Sequence, residues 1–196
     1  MAAILFSGLL IGCSSDDPKK EDTPELVTKA TLTFSSVGGG TPIVVSATDP
    51  DGDGVQDIIV EGPINLAANT TYGLAIELIN GLVAVGQPGY SITSEVEEEG
   101  IEHQFFFSWT NSVFSNPEGN GNLDTGTDPV NYQGGTNSVD ANGLNLGLTT
   151  IWTTSSTIAS GNFRIVLKHQ PGSKTATSNA SVGETDLDLT FILNVQ

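Results

Sequence analysis

The chain of 196 residues contains two histidines, His103 and His169. Imidazole is a common ligand for zinc and copper, and its charge changes near neutral pH. If residues 103–109 run as a strand, His103 shares a face with Phe105, Phe107 and Trp109. If 163–169 runs as a strand, His169 shares a face with Phe163, Ile165 and Leu167. Both faces are apolar, so both imidazoles are expected to point toward a core. His103 opens its strand and His169 closes its own. If the two strands are antiparallel neighbours, the rings fall at the same end of the fold. Glu98, Glu99 and Glu102 precede His103. Two neutral imidazoles with Glu99 or Glu102 would make a donor set suited to zinc or copper, with haem the weaker option. The plainer reading is that each histidine caps the rim of the core and bonds to backbone.

A second constellation is Asp49, Asp51, Asp53, Val55 and Asp57, with Gly54 among them. Carboxylates at positions one, three, five and nine, a glycine at six and a carbonyl at seven match the opening of an EF-hand-type calcium loop. Alternate side chains converge on one point as the chain wraps the ion. Val60 stands where an EF-hand places its closing glutamate, and no flanking helices are evident. The pattern is closer to helix-free calcium loops of extracellular modules, where calcium is structural. The competing reading is an acidic turn, since Asp-Gly pairs readily reverse a chain.

A third group is Glu95, Glu97, Glu98, Glu99 and Glu102. In a strand, Glu95, Glu97 and Glu99 would share one face. A solvated, aggregation-resistant edge accounts for them without any ligand. Catalysis finds little support. No Gly-x-Ser-x-Gly elbow, phosphate-binding loop, dinucleotide fingerprint or paired CxxC motif occurs. With 23 acidic and 6 basic residues the formal net charge is −17. Such a surface repels nucleic acid and anionic lipid, and favours solubility, cations and basic partners.

The elements that must position these groups are strands. Ala30, Leu32 and Phe34 alternate with Lys29, Thr31 and Thr33. Tyr72, Leu74, Ile76 and Leu78 alternate with Gly73, Ala75, Glu77 and Ile79. Near the C-terminus, Leu187, Leu189, Phe191, Leu193 and Val195 are predicted to face inward. Asp186, Asp188, Thr190 and Asn194 are predicted to face outward, with Ile192 the exception. Period-two alternation is the mark of half-buried antiparallel strands. Further strands are expected at 43–47, 58–61, 104–109, 149–154 and 163–169. No segment carries an amphipathic helical period. About eight strands with turn residues between them predict an all-β domain. The leading expectation is an immunoglobulin-like antiparallel β-sandwich, with a jelly roll or open barrel as the alternative. Residues 115–145 read as a long polar loop containing Asp124, Asp128 and Asp140, functional or disordered.

The single cysteine, Cys13, adds an address. It follows the apolar run 2–12, ending Leu10, Ile11, Gly12, and precedes Ser14, Ser15, Asp16 and Asp17. This resembles a bacterial lipoprotein signal peptide, which implies cleavage before Cys13 and lipid on that residue. The run is too short to span a hydrocarbon core of about 30 Å as a helix. Ser14 to Asp17 resemble the acidic export signal of Bacteroidota surface lipoproteins. Residues 14–25 hold too little apolar surface to fold and read as a flexible tether. The mature chain has no other cysteine, hence no disulfide.

Several further pieces resemble a family of small acidic Bacteroidota outer-membrane lipoproteins. They are Asp49 to Gly54, Asn69-Thr70-Thr71-Tyr72, Glu102-His103-Gln104-Phe105-Phe106, Asp140-Ala141-Asn142-Gly143, Leu167-Lys168-His169-Gln170-Pro171 and Gly183-Glu184-Thr185-Asp186. Such proteins are often labelled a type 1 periplasmic-binding fold superfamily. That fold needs alternating strands and helices over a much longer chain, a pattern absent here. The resemblance implies a companion of TonB-dependent receptors and brings no catalytic residues with it.

The organisation expected is a signal peptide at 1–12, a lipidated cysteine and acidic tether at 13–26, and one domain at 27–196. The expected function is a non-enzymatic binding module, lipid-anchored to the outer membrane with the cell surface favoured over the periplasmic face. It would capture a ligand for an outer-membrane receptor. The alternative is a structural or adhesion lipoprotein that binds a protein or glycan, with calcium only structural and the histidines only packing.

Overall fold

The computed structural model describes residues 25–52, 57–121, 123 and 137–196. Cys13, Asp53, Gly54, Val55, Asp124 and Asp128 lie outside the described residues. The described chain forms ten strands and one short helix. The strands are β1 (Lys29–Ser36), β2 (Ile43–Thr48), β3 (Ile59–Val60), β4 (Ile64–Leu66), β5 (Thr71–Ile79), β6 (His103–Asn116), β7 (Glu118–Gly121), β8 (Thr149–Thr154), β9 (Ala159–His169) and β10 (Glu184–Val195); the helix α1 is Ile92–Glu98.

All ten strands belong to one sheet, in the order β3-β2-β1-β5-β8-β6-β9-β10-β4, with β7 added beside β6. The chain is all-β. It adopts the open-barrel alternative rather than two packed sheets, because a single sheet curls around its own apolar face. The curl follows from connectivity. β3 pairs with β2 at one end of the path, and β4 pairs in parallel with β10 at the other. Only residues 61–63 separate β3 from β4. That connection spans at most roughly 14 Å, so the two ends of the sheet are held near each other.

β6 turns the corner. Its first half pairs with β9, from His103 to Trp109, and its last residues pair with β8. Between them Asn111 and Ser112 take φ of 58° and 48°. Asparagine tolerates this left-handed region better than most residues, so the strand bends there. Where β6 and β5 diverge, the segment 146–148 fills the gap. Leu146 O accepts from the Phe105 amide at 2.8 Å, and Leu148 O accepts from the Ile76 amide at 3.0 Å.

The alternating residues fill the curl. Leu32, Phe34, Leu74, Leu78, Phe105, Phe107, Trp109, Trp152, Phe163, Phe191 and Leu193 are buried in one cluster. Trp152 stands edge-on to Trp109 and Phe163, each at 5.2 Å between ring centres. Each such pair adds about 0.5–1.5 kcal/mol beyond its buried area. β6 and β9 are also covered on their outer face, where Phe106, Val166 and Leu123 form a second small cluster with Ala180.

Three details differ from the sequence reading. The glutamate run is not a strand edge: Glu95, Glu97 and Glu98 lie on α1, which Ser91 caps by accepting from the Ser94 amide at 3.2 Å. Only Ile92 and Val96 of this helix are buried, too few to print a helical period. The predicted loop 115–145 begins with the end of β6 and β7, and carries a bridge between Val139 and Asn145. Asp186, predicted to face outward, is turned inward at a register shift between Thr185 and Leu187. Among the described residues no helix is long and apolar enough to cross a membrane.

Candidate metal centre

The centre lies where β6 begins, β9 ends and β10 begins. α1 runs into a turn at 99–102, in which the Glu102 amide donates to Glu99 O at 2.8 Å. His103 then opens β6. In the antiparallel register of β6 and β9 the direct partner of His103 is His169. The two rings stack face to face, 4.6 Å between centres and 8° between planes. Gln170 closes the junction by donating its amide to Glu102 O at 2.6 Å. Both histidines are buried, on the same face as Phe105, Phe107, Ile165 and Leu167.

Glu99, His103 and His169 offer ligand atoms that all lie within 4.8 Å of one another. Glu102 is half-buried, with Oε2 3.5 Å from His169 Nε2. His169 Nε2 is buried without a hydrogen bond in normal geometry. His103 Nδ1 lies 3.2 Å from Glu99 O. A carbonyl can only accept, so this contact places a proton on Nδ1, and in the neutral ring the Nε2 lone pair then faces Asp186. A histidine fixed by a backbone carbonyl in this way is the usual second support of a metal ligand.

Sequence reasoning missed three residues here. The first is Asp186, whose side chain is fully buried with Oδ2 3.7 Å from His103 Nε2. Burial pushes its carboxyl up to about 6; His169, the Glu25 amide and Lys168 pull the other way, and Glu184 adds to the rise. The alternation of β10 disguised it, because a bulge reverses the facing of one residue without any local mark. The second and third are Lys174 and Asp140, a buried ion pair at 2.8 Å. Lys174 Nζ also donates to Gly100 O and His103 O, each at 2.7 Å. It therefore clamps the turn that carries Glu99, Glu102 and His103. Burial lowers the Lys174 pKa, against the pull of Asp140. Burial alone would raise the Asp140 pKa, but Lys174 and the amides of Leu144 and Asn142 hold the carboxyl below its usual value.

The acidic segment at 49–57 is described only in part. Asp49 Oδ1 accepts from the amides of Asp51 and Gly52, at 3.1 and 2.9 Å. That is the bonding of a carboxylate-capped turn. Asp57 is exposed, and Asp53 and Val55 lie outside the described residues. Comparisons with protein-family models, with curated proteins and with solved structures find no match.

Proposed function

We propose that this chain is a non-enzymatic binding module that takes up zinc or copper at His103 and His169, lipid-anchored at Cys13 on the outer membrane. The observation that carries the reading is the cross-strand histidine pair, buried at one end of the barrel with Glu99 in reach. Rings stacked face to face present their nitrogens side by side rather than across a macrocycle, which favours a single ion over haem. Glu99 and Glu102 supply carboxylates for the ion, and a net charge of −17 raises the local concentration of cations. The anchor and the passing of the ion to a TonB-dependent receptor rest on the Cys13 region and on the family resemblance. Calcium at Asp49, Asp51, Asp53, Val55 and Asp57 would stiffen the domain.

A second reading has its own support. His103 contacts Glu99 O through one nitrogen and faces Asp186 with the other, an arrangement that also suits a packed core residue. The protein would then be a structural or adhesion lipoprotein. Elemental analysis with native mass spectrometry separates the two. The chain is prepared as Cys13→Ser, so that no lipid is attached, beside the same chain with His103→Ala and His169→Ala. The expected result is about one zinc or copper per wild-type chain and none in the double variant, as for a site of two imidazoles. Calcium as the sole bound metal, or none, rejects the histidine site.

A further inference from the structure

We infer that Asp186 is a protein ligand of the ion held by His103 and His169. The inference rests on the proposed metal site and adds a residue to it from another strand. Three observations support it. The Asp186 side chain is fully buried and aimed at His103 Nε2. The Glu25 amide is directed at it, but neither oxygen has a hydrogen bond within normal distance and angle. A buried carboxylate without such partners is costly unless a cation compensates it. With Nδ1 donating to Glu99 O, the neutral His103 ring turns the Nε2 lone pair toward the Asp186 carboxylate, so an acceptor faces an acceptor. Two acceptors face each other stably only with a cation between them, either a proton or a metal.

The separation is nearer to that of two ligands of one ion than to that of a hydrogen bond. At 3.7 Å, Nε2 and Oδ2 are too far apart for a direct hydrogen bond. Two donors each about 2.0–2.1 Å from a tetrahedral zinc lie about 3.3 Å apart, a few tenths of an ångström closer than observed. The bulge is the fold's means of reaching this geometry. β9 and β10 keep one register from Leu187 to Val195 and shift only between Thr185 and Leu187. Without that shift Asp186 would follow Asp188, which is exposed and paired with Arg164 at 2.6 Å on the outer face.

The test uses the full chain carrying Cys13→Ser, titrated with zinc against a chelator. Asp186→Asn is expected to weaken zinc binding by about tenfold or more, the size of effect seen even for second-shell changes. Asp188→Asn removes the same charge from the same strand and is expected to leave affinity unchanged. Asp186→Cys gives a positive signal. With Cys13 replaced it is the only thiol, and ligation of cobalt(II) is expected to add a sulfur-to-metal charge-transfer band. Zinc affinity undiminished in Asp186→Asn overturns the inference, and so does the absence of that band from cobalt-loaded Asp186→Cys. If His103→Ala with His169→Ala still abolishes binding in either case, the proposed function stands without Asp186. Failure of the wild type to bind zinc, copper or cobalt overturns both.

Discussion

Asp186 carries a consequence for stability that needs no metal. Its carboxyl is raised to about 6, chiefly by burial, from an ordinary value near 3.8. The folded protein therefore holds this proton more tightly than the unfolded chain does. Between about pH 4 and pH 6 the unfolded chain binds fewer protons at this group, so its contribution to stability falls as pH rises and stays low above pH 6. At 1.36 kcal/mol per pKa unit the full loss is about 3 kcal/mol. Chelator-treated Asp186→Asn is expected to regain part of that above pH 6 and to flatten this limb of the profile. Chemical denaturation of both proteins at pH 4, 5, 6 and 7 measures it. A profile identical in the two proteins would show that the buried carboxyl is not strained. A bound divalent ion would remove the strain in the wild type alone, so holding Asp186 only partly compensated in the metal-free state is compatible with a binding role.

At the element scale, Gly183 brings the chain into β10 close against the end of β9. Its φ is 77°, and an added Cβ would lie 2.1 Å from His169 O and 2.8 Å from the Gln170 side chain. The chain can approach the end of β9 this closely only without a side chain. Gly183→Ala must move the entry of β10 away from His169, with the bulge at Asp186 three residues on. The expected cost is more than about 1 kcal/mol, since the backbone conformation and the space both oppose alanine. Metal affinity should fall with it. Thermal melting and zinc titration of the same sample check both effects, and unchanged values in both would show that the junction is pliable. Lys174 supports the opposite wall by binding Asp140, Gly100 O and His103 O. Much of this element-scale arrangement was legible beforehand. The expected strands at 43–47, 149–154 and 163–169 appear within β2, β8 and β9, and the face shared by His103 and Phe105 is the one that packs into the main core. The helix was not legible, because seven residues with two buried side chains hold no measurable period. Nor was β4, whose three residues owe their strand form to the edge of β10.

For the whole molecule, charge and closure matter together. A formal charge of −17 on one small chain makes the folded state repel itself. Salt shortens the reach of that repulsion, to about 10 Å at 0.1 M from about 30 Å at 0.01 M. The melting temperature is therefore expected to rise between 0.01 M and 0.15 M sodium chloride, by scanning calorimetry at pH 7. A fall would mean that favourable pairs such as Arg164–Asp188 outweigh the net repulsion. The sequence by itself determined the all-β character and the inward faces of the long strands. Each follows from alternation along the chain, which is local and survives in the primary order. Only the tertiary structure decided that one sheet would curl into an open barrel, that the strands of His103 and His169 would pair, that α1 would carry the glutamates, and that Asp186 would turn inward against His103. Those outcomes depend on which distant edge a strand meets and where one extra residue enters a ladder, and backbone hydrogen bonding between remote segments leaves no period in a sequence.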